Sequence, residues 1–129
     1  MEAIILNAVS EKQRAYAMNV RADALNSLEQ FRSIFADSNT FYGKNLFAIY
    51  NAGRNLILSY TDATAVLDHA MRIADETKAF ASKFEQHYNF CKQHGKKPHS
   101  AKFILQYADP AAINCHYLTA EMIEKEMEK

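Results

Sequence analysis

Glycine is scarce in this chain. Its 129 residues include only three, Gly43, Gly53 and Gly95, and no two of them are close together. A phosphate-cradling loop needs clustered glycines, because its backbone must approach the phosphate closely. The sequence therefore excludes a P-loop and a dinucleotide-binding loop, and it also lacks the G-x-S-x-G and H-E-x-x-H motifs. These absences favour a protein that is not an enzyme and that uses no cofactor.

Cysteine, net charge and long apolar runs are also lacking. Two cysteines cannot build a disulfide framework. Lys plus Arg equals Asp plus Glu at 15 each, so no bulk attraction to nucleic acid or acidic lipid is expected. No run approaches the roughly 18 apolar residues of a membrane span, and the N-terminal run has no basic region before it. We therefore expect a cytoplasmic protein that does not associate with membranes.

The composition is that of a globular domain, and the apolar pattern near the N-terminus predicts a helix. Apolar residues make up 49% of the chain and charged residues 23%, so we expect one domain over residues 1–129. Ser10 and Gln13 fit a capping box at the start of a helix over Val9–Phe35. At about 100° per residue, one arc of this helix is apolar. Its members are Ala17, Val20, Ala24, Leu28, Phe31 and Phe35.

The segment NLFAIYNAGRNLILSY predicts a β-hairpin near residues 46–60. It is rich in aromatic and branched residues, and Asn51 and Gly53 interrupt it. We expect strands over Leu46–Tyr50 and Asn55–Tyr60, which would pair their apolar side chains on one face. A helix is the alternative, because the apolar spacing also tolerates a helical period.

The second half of the chain predicts further helices. One runs from about Asp62 to His94, with Thr61 or Asp62 as its cap. A short helix starts at Ser100, and Asp109-Pro110 predicts the start of a final helix that buries Ile113, Tyr117, Ala120, Ile123 and Met127. The expected fold class is therefore mainly α (α+β), a helical bundle with one short hairpin.

Residues 87–99, HYNFCKQHGKKPH, concentrate metal-ligating side chains. On a helix, His87, Cys91 and His94 fall within about 60° of one another, and zinc accepts both residue types. A fourth ligand would be His99, Cys115 or His116. The end of a helix explains more of these residues, because Gly95 suits a left-handed cap and Pro98 a stop. We therefore expect no metal and keep these three residues as the candidates for one.

The same region is basic. From Gln86 to Ala108 there is no Asp or Glu. The lysines in this window are Lys92, Lys96, Lys97 and Lys102. Lysines beside aromatic residues can hold phosphates and stack bases, so the window predicts nucleic-acid binding as an alternative function.

The first helix carries a stripe of arginines. Arg14, Arg21 and Arg32 fall within about 20° of one another, and Met18 and Leu25 lie beside them. Arginine with flexible apolar neighbours suits a protein interface, and it also suits the edge of a core. We take these five residues as the candidate surface for a protein partner, together with the Lys96-Lys97 loop.

A cysteine nucleophile is the main enzymatic alternative. Cys91 or Cys115 would need a histidine within hydrogen-bonding reach and an accessible sulfur. His116 follows Cys115 directly, so on a helix the two side chains point about 100° apart and do not pair. No third group that could orient a histidine is evident.

The string SEKQRAYAMNVRA, residues 10–22, resembles a segment in small uncharacterised proteins of phages and plasmids. That segment has S-E-K-Q, an aromatic-Ala pair and Ile-Arg-Ala, which correspond here to Tyr16-Ala17 and to Val20-Arg21-Ala22. Those proteins often carry a later Ala-Lys-aromatic segment, similar to Ala101-Lys102-Phe103. The resemblance covers about a sixth of the chain and implies a mobile-element origin, with no activity attached.

These observations lead to an expected function. The chain would be a small non-catalytic protein of a phage or mobile element that binds a protein partner, for example as an inhibitor of a host defence system. Nucleic-acid binding through the basic window is the first alternative. A metal-binding or cysteine-dependent enzyme is the second.

Overall fold

Helices account for the regular structure of this chain. The structure, a computed structural model, describes residues 6–32, 40–107 and 115–128, without the side chains of residues 31 and 32. Within these ranges there is no sheet, and the helices are α1 (Glu11–Arg32), α2 (Phe41–Ser59), α3 (Ala63–Gln93), α4 (Ala101–Tyr107) and α5 (Ala120–Met127). The mainly helical prediction is confirmed, and the β-hairpin prediction is wrong.

The 31-residue helix α3 is the centre of the bundle. Helices α1 and α2 both pack on it, α5 packs on α2, and α4 lies against α5. Phe80 and Phe84 of α3 are fully buried, as is Ile123 of α5. Each such side chain contributes about 1.5–3 kcal/mol through burial, so the core holds α3 firmly in the middle.

Helix α2 occupies the segment that was predicted to be a hairpin. It begins at a Thr40 cap, whose hydroxyl accepts the Gly43 amide at 2.9 Å. Leu46, Ile49 and Ile57 are fully buried and follow a helical period. Gly53 lies against Thr77 of α3, where a Cβ would stand 2.8 Å from Cγ2 of Thr77 and closer still to its Oγ1. Gly53 therefore permits a close approach between two helices and does not make a turn.

The start of α1 matches the predicted capping box. The Gln13 amide donates to Ser10 Oγ at 3.1 Å, and the Val9 amide donates to Gln13 Oε1 at 3.0 Å. Asn7 then joins the turn between α2 and α3, because its amide donates to the Thr61 carbonyl at 2.8 Å. The N-terminal segment is thus anchored beside the start of α3. Phe35, the last residue of the predicted helix, lies outside the described residues.

Helix α3 has the predicted Asp62 cap and a buried apolar face. Asp62 Oδ2 accepts the Ala65 amide at 3.2 Å. Val66, Ala70 and Ile73 are fully buried. Tyr88, at the far end of this face, is only half-buried and reaches the surface. None of the helices in the described ranges combines the length and apolar character needed to cross a membrane.

The final helix is shorter than predicted. Helix α5 starts at Ala120, and Thr119 caps it by accepting the Met122 amide at 3.3 Å. Tyr117 lies in a non-helical segment, residues 115–119, that leads into α5. The predicted start at Asp109-Pro110, and Ile113 with it, lie outside the described residues.

Candidate docking surface

The chain reverses sharply at the end of α3. Gly95 has a φ of 66°, which is the left-handed conformation that favours glycine. The Lys96 amide donates to the Cys91 carbonyl at 2.8 Å, and the Gly95 amide reaches the Lys92 carbonyl at 3.4 Å. These are the two bonds of a Schellman motif, so the predicted role of Gly95 is confirmed. The lysines that follow are thereby turned back along the helix.

The other end of the loop is fixed by α4. Ser100 Oγ accepts the Phe103 amide at 3.2 Å and caps the helix. Asn45 of α2 is fully buried, and its Oδ1 accepts the Ala101 amide at 2.8 Å. A buried amide with a partner is costly to displace, so α4 starts at a defined place against α2. The loop at residues 95–100 therefore has both ends held.

A groove opens where α2, α3 and this loop meet. Its volume is about 300 Å³, and its lining consists of Phe41, Tyr88, Lys92, Lys97 and Pro98. We call these five residues the docking groove. The Phe41 and Tyr88 rings lie 6.4 Å apart at 23°, and Phe41 is 43% exposed. Two aromatic rings thus form an apolar floor that solvent reaches.

The groove carries positive charge. Lys92 Nζ lies 5.8 Å from the centre of the Tyr88 ring, and Lys97 is exposed at the loop. Lys96 stands beside them, 5.7 Å from the centre of the Phe90 ring. Glu85, the acid that precedes the basic window, hydrogen-bonds to Tyr42 and, after burial, contributes to raising the pKa of that phenol. The basic window, residues 86–108, therefore supplies the groove with lysines and with no carboxylate.

A column of stacked rings runs beside the groove. The His87 and His99 rings are 5.5 Å apart at 16°, His99 and Phe103 are 4.2 Å apart at 15°, and Phe103 and Tyr107 are 4.7 Å apart at 45°. We call these four residues the ring column. Tyr107, at its end, is 67% exposed. The column joins α3, the loop and α4 into one aromatic edge.

The structure divides the four lysines predicted for nucleic acid. Lys92, Lys96 and Lys97 are exposed near the groove. Lys102 points to α5 instead, where its Nζ lies 2.8 Å from Glu124 Oε1. That hydrogen bond raises the pKa of Lys102 and offsets its charge. Three lysines, not four, are therefore available to a partner.

The described side chains of the arginine stripe of α1 are buried or half-buried. Arg21 is only 3% exposed, because it lies about 20° around the helix from Leu28 and so falls on the core side. Arg14 Nε donates to the Leu6 carbonyl at 2.8 Å, and Arg14 also pairs with Glu11. The other members are Met18 and Leu25, which are half-buried against the core, and Arg32, whose side chain lies outside the described residues.

The three metal candidates are engaged within the protein. His87 Nε2 accepts the His99 amide at 2.9 Å, and the His94 ring lies 4.3 Å from that of Phe90. Cys91 is buried, with Sγ 3.7 Å from His87 Nε2. Over the residues that the structure describes, no three His, Cys, Asp or Glu side chains are grouped so that they could hold a metal ion.

Of the proposed fourth ligands, His99 stacks on the His87 ring, whereas Cys115 and His116 lie elsewhere. The His116 amide donates to Glu76 of α3, and Glu76 precedes His87 by three helical turns, about 16 Å. Cys115 is beside the same carboxylate, where burial and Glu76 raise the pKa of its thiol to about 11. A raised pKa lowers the thiolate fraction, which is the opposite of what a cysteine nucleophile requires.

Glu76, outside the docking groove, has a structural role that the sequence did not predict. Its carboxylate accepts three successive backbone amides, from His116 at 2.5 Å and from Tyr117 and Leu118 at 2.8 Å each. It therefore fixes the segment that leads into α5. No local signal in the sequence links Glu76 to residues 40 positions away.

Comparison with known proteins does not assign a function to this chain. No protein family, curated protein or solved structure matches this chain. The resemblance of residues 10–22 to phage and plasmid proteins stays a prediction. The argument for function consequently starts from the docking groove and the ring column.

Proposed function

We propose that this chain is a small non-catalytic protein of a phage or mobile element that acts by docking on a protein partner, for example as an inhibitor of a host defence system. The observation that carries the proposal is the docking groove, an exposed aromatic floor with lysines at its edge. Aromatic residues are enriched at the centres of protein interfaces. We therefore place the contact surface at the end of α3, in place of the predicted stripe on α1. The Lys96-Lys97 loop belongs to both the predicted and the proposed surface.

The chemistry of the groove selects an acidic segment of the partner. Phe41 and Tyr88 provide apolar surface for one inserted side chain. Lys92 and Lys97 flank that surface, and no Asp or Glu occurs between Gln86 and Ala108. Opposite charges across an interface speed encounter and exclude wrong partners. The best complement is therefore a segment with an apolar residue between carboxylates.

Nucleic-acid binding is the second candidate. The exposed lysines beside aromatic rings favour it, because single strands bind through phosphate contacts and base stacking. Stacking needs uncovered ring faces, however, and the rings of the column already stack on one another. Tyr88 likewise has a lysine over its ring. These contacts make the protein partner the better fit.

A charge-reversal experiment tests the proposal. The tagged protein is incubated with an extract of its host, and retained proteins are quantified for wild type, for Lys92→Glu/Lys97→Glu and for the control Lys12→Glu/Lys125→Glu. The control changes the net charge equally at exposed positions on α1 and α5. We expect one protein to be retained by wild type and control and to fall about tenfold or more with the groove variant, a loss near 1.4 kcal/mol.

Two outcomes would overturn the proposal. The first is equal retention by the groove variant and the control, since the groove would then make no contact. The second is a salt-sensitive shift of an oligothymidylate of about 20 nucleotides that Lys92→Glu/Lys97→Glu abolishes, without any retained protein. That result would assign the groove to single-stranded nucleic acid.

A further inference from the structure

One wall of the docking groove is held by a histidine. The backbone amide of His99 donates to Nε2 of His87 at 2.9 Å, which joins the loop to α3. The two imidazole rings lie parallel, 5.5 Å apart at 16°. Lys97 and Pro98, immediately before His99, line the groove. The position of that wall therefore depends on a contact made by an imidazole.

An imidazole nitrogen can accept a hydrogen bond only when it carries no proton. At neutral pH, His87 Nε2 is unprotonated in this contact and the bond forms. When His87 gains a proton, Nε2 becomes a donor that faces the amide donor of His99. The bond is then lost and replaced by repulsion between two donors.

We propose that His87 and His99 form a pH-sensitive latch, which holds the loop wall of the docking groove near neutral pH and releases it when His87 is protonated. The latch is a property of the chain alone. Its role in controlling partner binding rests on the proposed function. Acidification would then open the loop and weaken docking by a segment that needs Lys97 in place.

The surroundings of His87 do not oppose this behaviour. On its own helix the ionisable neighbour is the Cys91 thiol, and from the loop it is His99. The other charges are Lys92 of α3 and Lys96 and Lys97 of the loop, while Lys102 of α4 is paired with Glu124. Burial and His99 both oppose a charge on the His87 ring and lower its pKa.

The sign of the pH dependence follows from these contacts. Burial and the neighbouring His99 lower the pKa of His87 in the folded protein. The unfolded chain therefore takes up the proton first as the pH falls. The stabilising contribution of the latch is fully present above the ordinary histidine pKa of about 6.5, and it is lost as the pH drops below that value.

Nuclear magnetic resonance can follow the latch directly. The imidazole signals of His87 and the backbone amide signal of His99 are recorded from about pH 8 to about pH 4.5. We expect both to change with one midpoint, below about 6.5. His99 amide exchange, corrected for its intrinsic rate, should rise about tenfold from one pH unit above that midpoint to one pH unit below it. A His99 amide that stays constant while His87 titrates would overturn the proposal.

Two variants separate the latch from a general effect of acid. His87→Gln keeps a side-chain acceptor that does not titrate, so the His99 amide should lose its pH step while the helical content is retained. His94→Gln is the matched control and should leave the step unchanged. A step that persists in His87→Gln would contradict the latch. These measurements use no partner, so their failure leaves the docking proposal standing, and a failed docking experiment leaves the latch standing.

Discussion

Replacing Gly53 with alanine places a methyl group between the two helices that carry the floor of the docking groove. Phe41 lies on α2 and Tyr88 on α3, and both helices extend from the contact between Gly53 and Thr77. An alanine Cβ would lie 2.8 Å from Cγ2 and 3.0 Å from Cβ of Thr77, and closer still to its Oγ1. The hydroxyl is also fixed, since Thr77 Oγ1 donates to the Ile73 carbonyl at 2.7 Å. The side chain cannot turn away without losing that bond.

The expected effect is a net loss of stability of about 1–3 kcal/mol. Overpacking a tight core costs about 1–3 kcal/mol, and losing the threonine hydrogen bond adds about 1 kcal/mol. Alanine regains about 1 kcal/mol through its better helix propensity. Thr77→Ala removes two of the three crowded atoms. In that background, Gly53→Ala should therefore cost about 1 kcal/mol or less.

Urea unfolding of the two single variants, the double variant and wild type, followed by circular dichroism, measures the coupling. We expect an interaction energy of about 1–2 kcal/mol between the two positions, and a melting temperature for Gly53→Ala about 10 °C below that of wild type. A destabilised Gly53→Ala that Thr77→Ala does not rescue would refute the reasoning. That result would fit a glycine in a turn, as the hairpin prediction required.

Three further predictions follow from single residues. Glu76→Gln should lower the free energy of unfolding by about 2–3 kcal/mol, because a carboxylate that accepts three amides is replaced by a group with one acceptor oxygen. The exposed control Asp68→Asn should change that free energy by less than about 0.5 kcal/mol. Equal effects of the two substitutions in urea unfolding would contradict the role of Glu76. Gly95→Ala should cost about 1–2 kcal/mol and Gly95→Asn less, because a φ of 66° with open space around it penalises only the backbone; an alanine variant as stable as wild type would contradict the left-handed cap. Near pH 8, Cys115 should react with iodoacetamide about a hundredfold more slowly in the folded than in the unfolded protein, because its pKa is raised from 9.0 to about 11. The contribution of this thiol to stability should fall as the pH rises from about 9 towards 11. Equal alkylation rates for the folded and unfolded protein, measured by mass spectrometry, would contradict this prediction.

Local capping signals were sufficient for four helix boundaries. Ser10, Asp62 and Ser100 each accept a backbone amide within three residues, so the sequence contains the whole interaction. The stop at Gly95 is equally local. These parts of the fold were predictable because a cap and the amide that it satisfies are neighbours in the chain.

Helix α2 was mispredicted because glycine occurs both in turns and where two helices approach closely. Gly53 beside Asn51 is typical of a turn, but here the glycine makes room for Thr77, which is 24 positions further along. The apolar spacing of this segment tolerated a helical period as well as the predicted hairpin. Only the tertiary contact with α3 decides between them, and that contact cannot be seen in the local pattern.

The candidate site was predictable in part. The acid-free window identified Lys92, Lys96 and Lys97, but not the Phe41 side of the groove, because the hairpin prediction began after Phe41. Arg21 was assigned to an interface, although it lies only about 20° around α1 from the buried Leu28. A helical wheel cannot tell the edge of a core from an interface at so small an angle. The ring column depends on the loop folding back onto α3 through the His99 amide, which no spacing rule predicts.

Photo-cross-linking from inside the docking groove tests the central claim most directly. Benzoylphenylalanine is placed at Phe41, which is 43% exposed in the groove, and in a second protein at Tyr16, which is 63% exposed on α1. In host cells we predict that Phe41 captures one defined protein and that Lys92→Glu/Lys97→Glu abolishes the product, while Tyr16 captures none. Equal capture of that protein from both positions, capture of nucleic acid from Phe41, or no product from Phe41 would contradict a protein-docking groove at the end of α3.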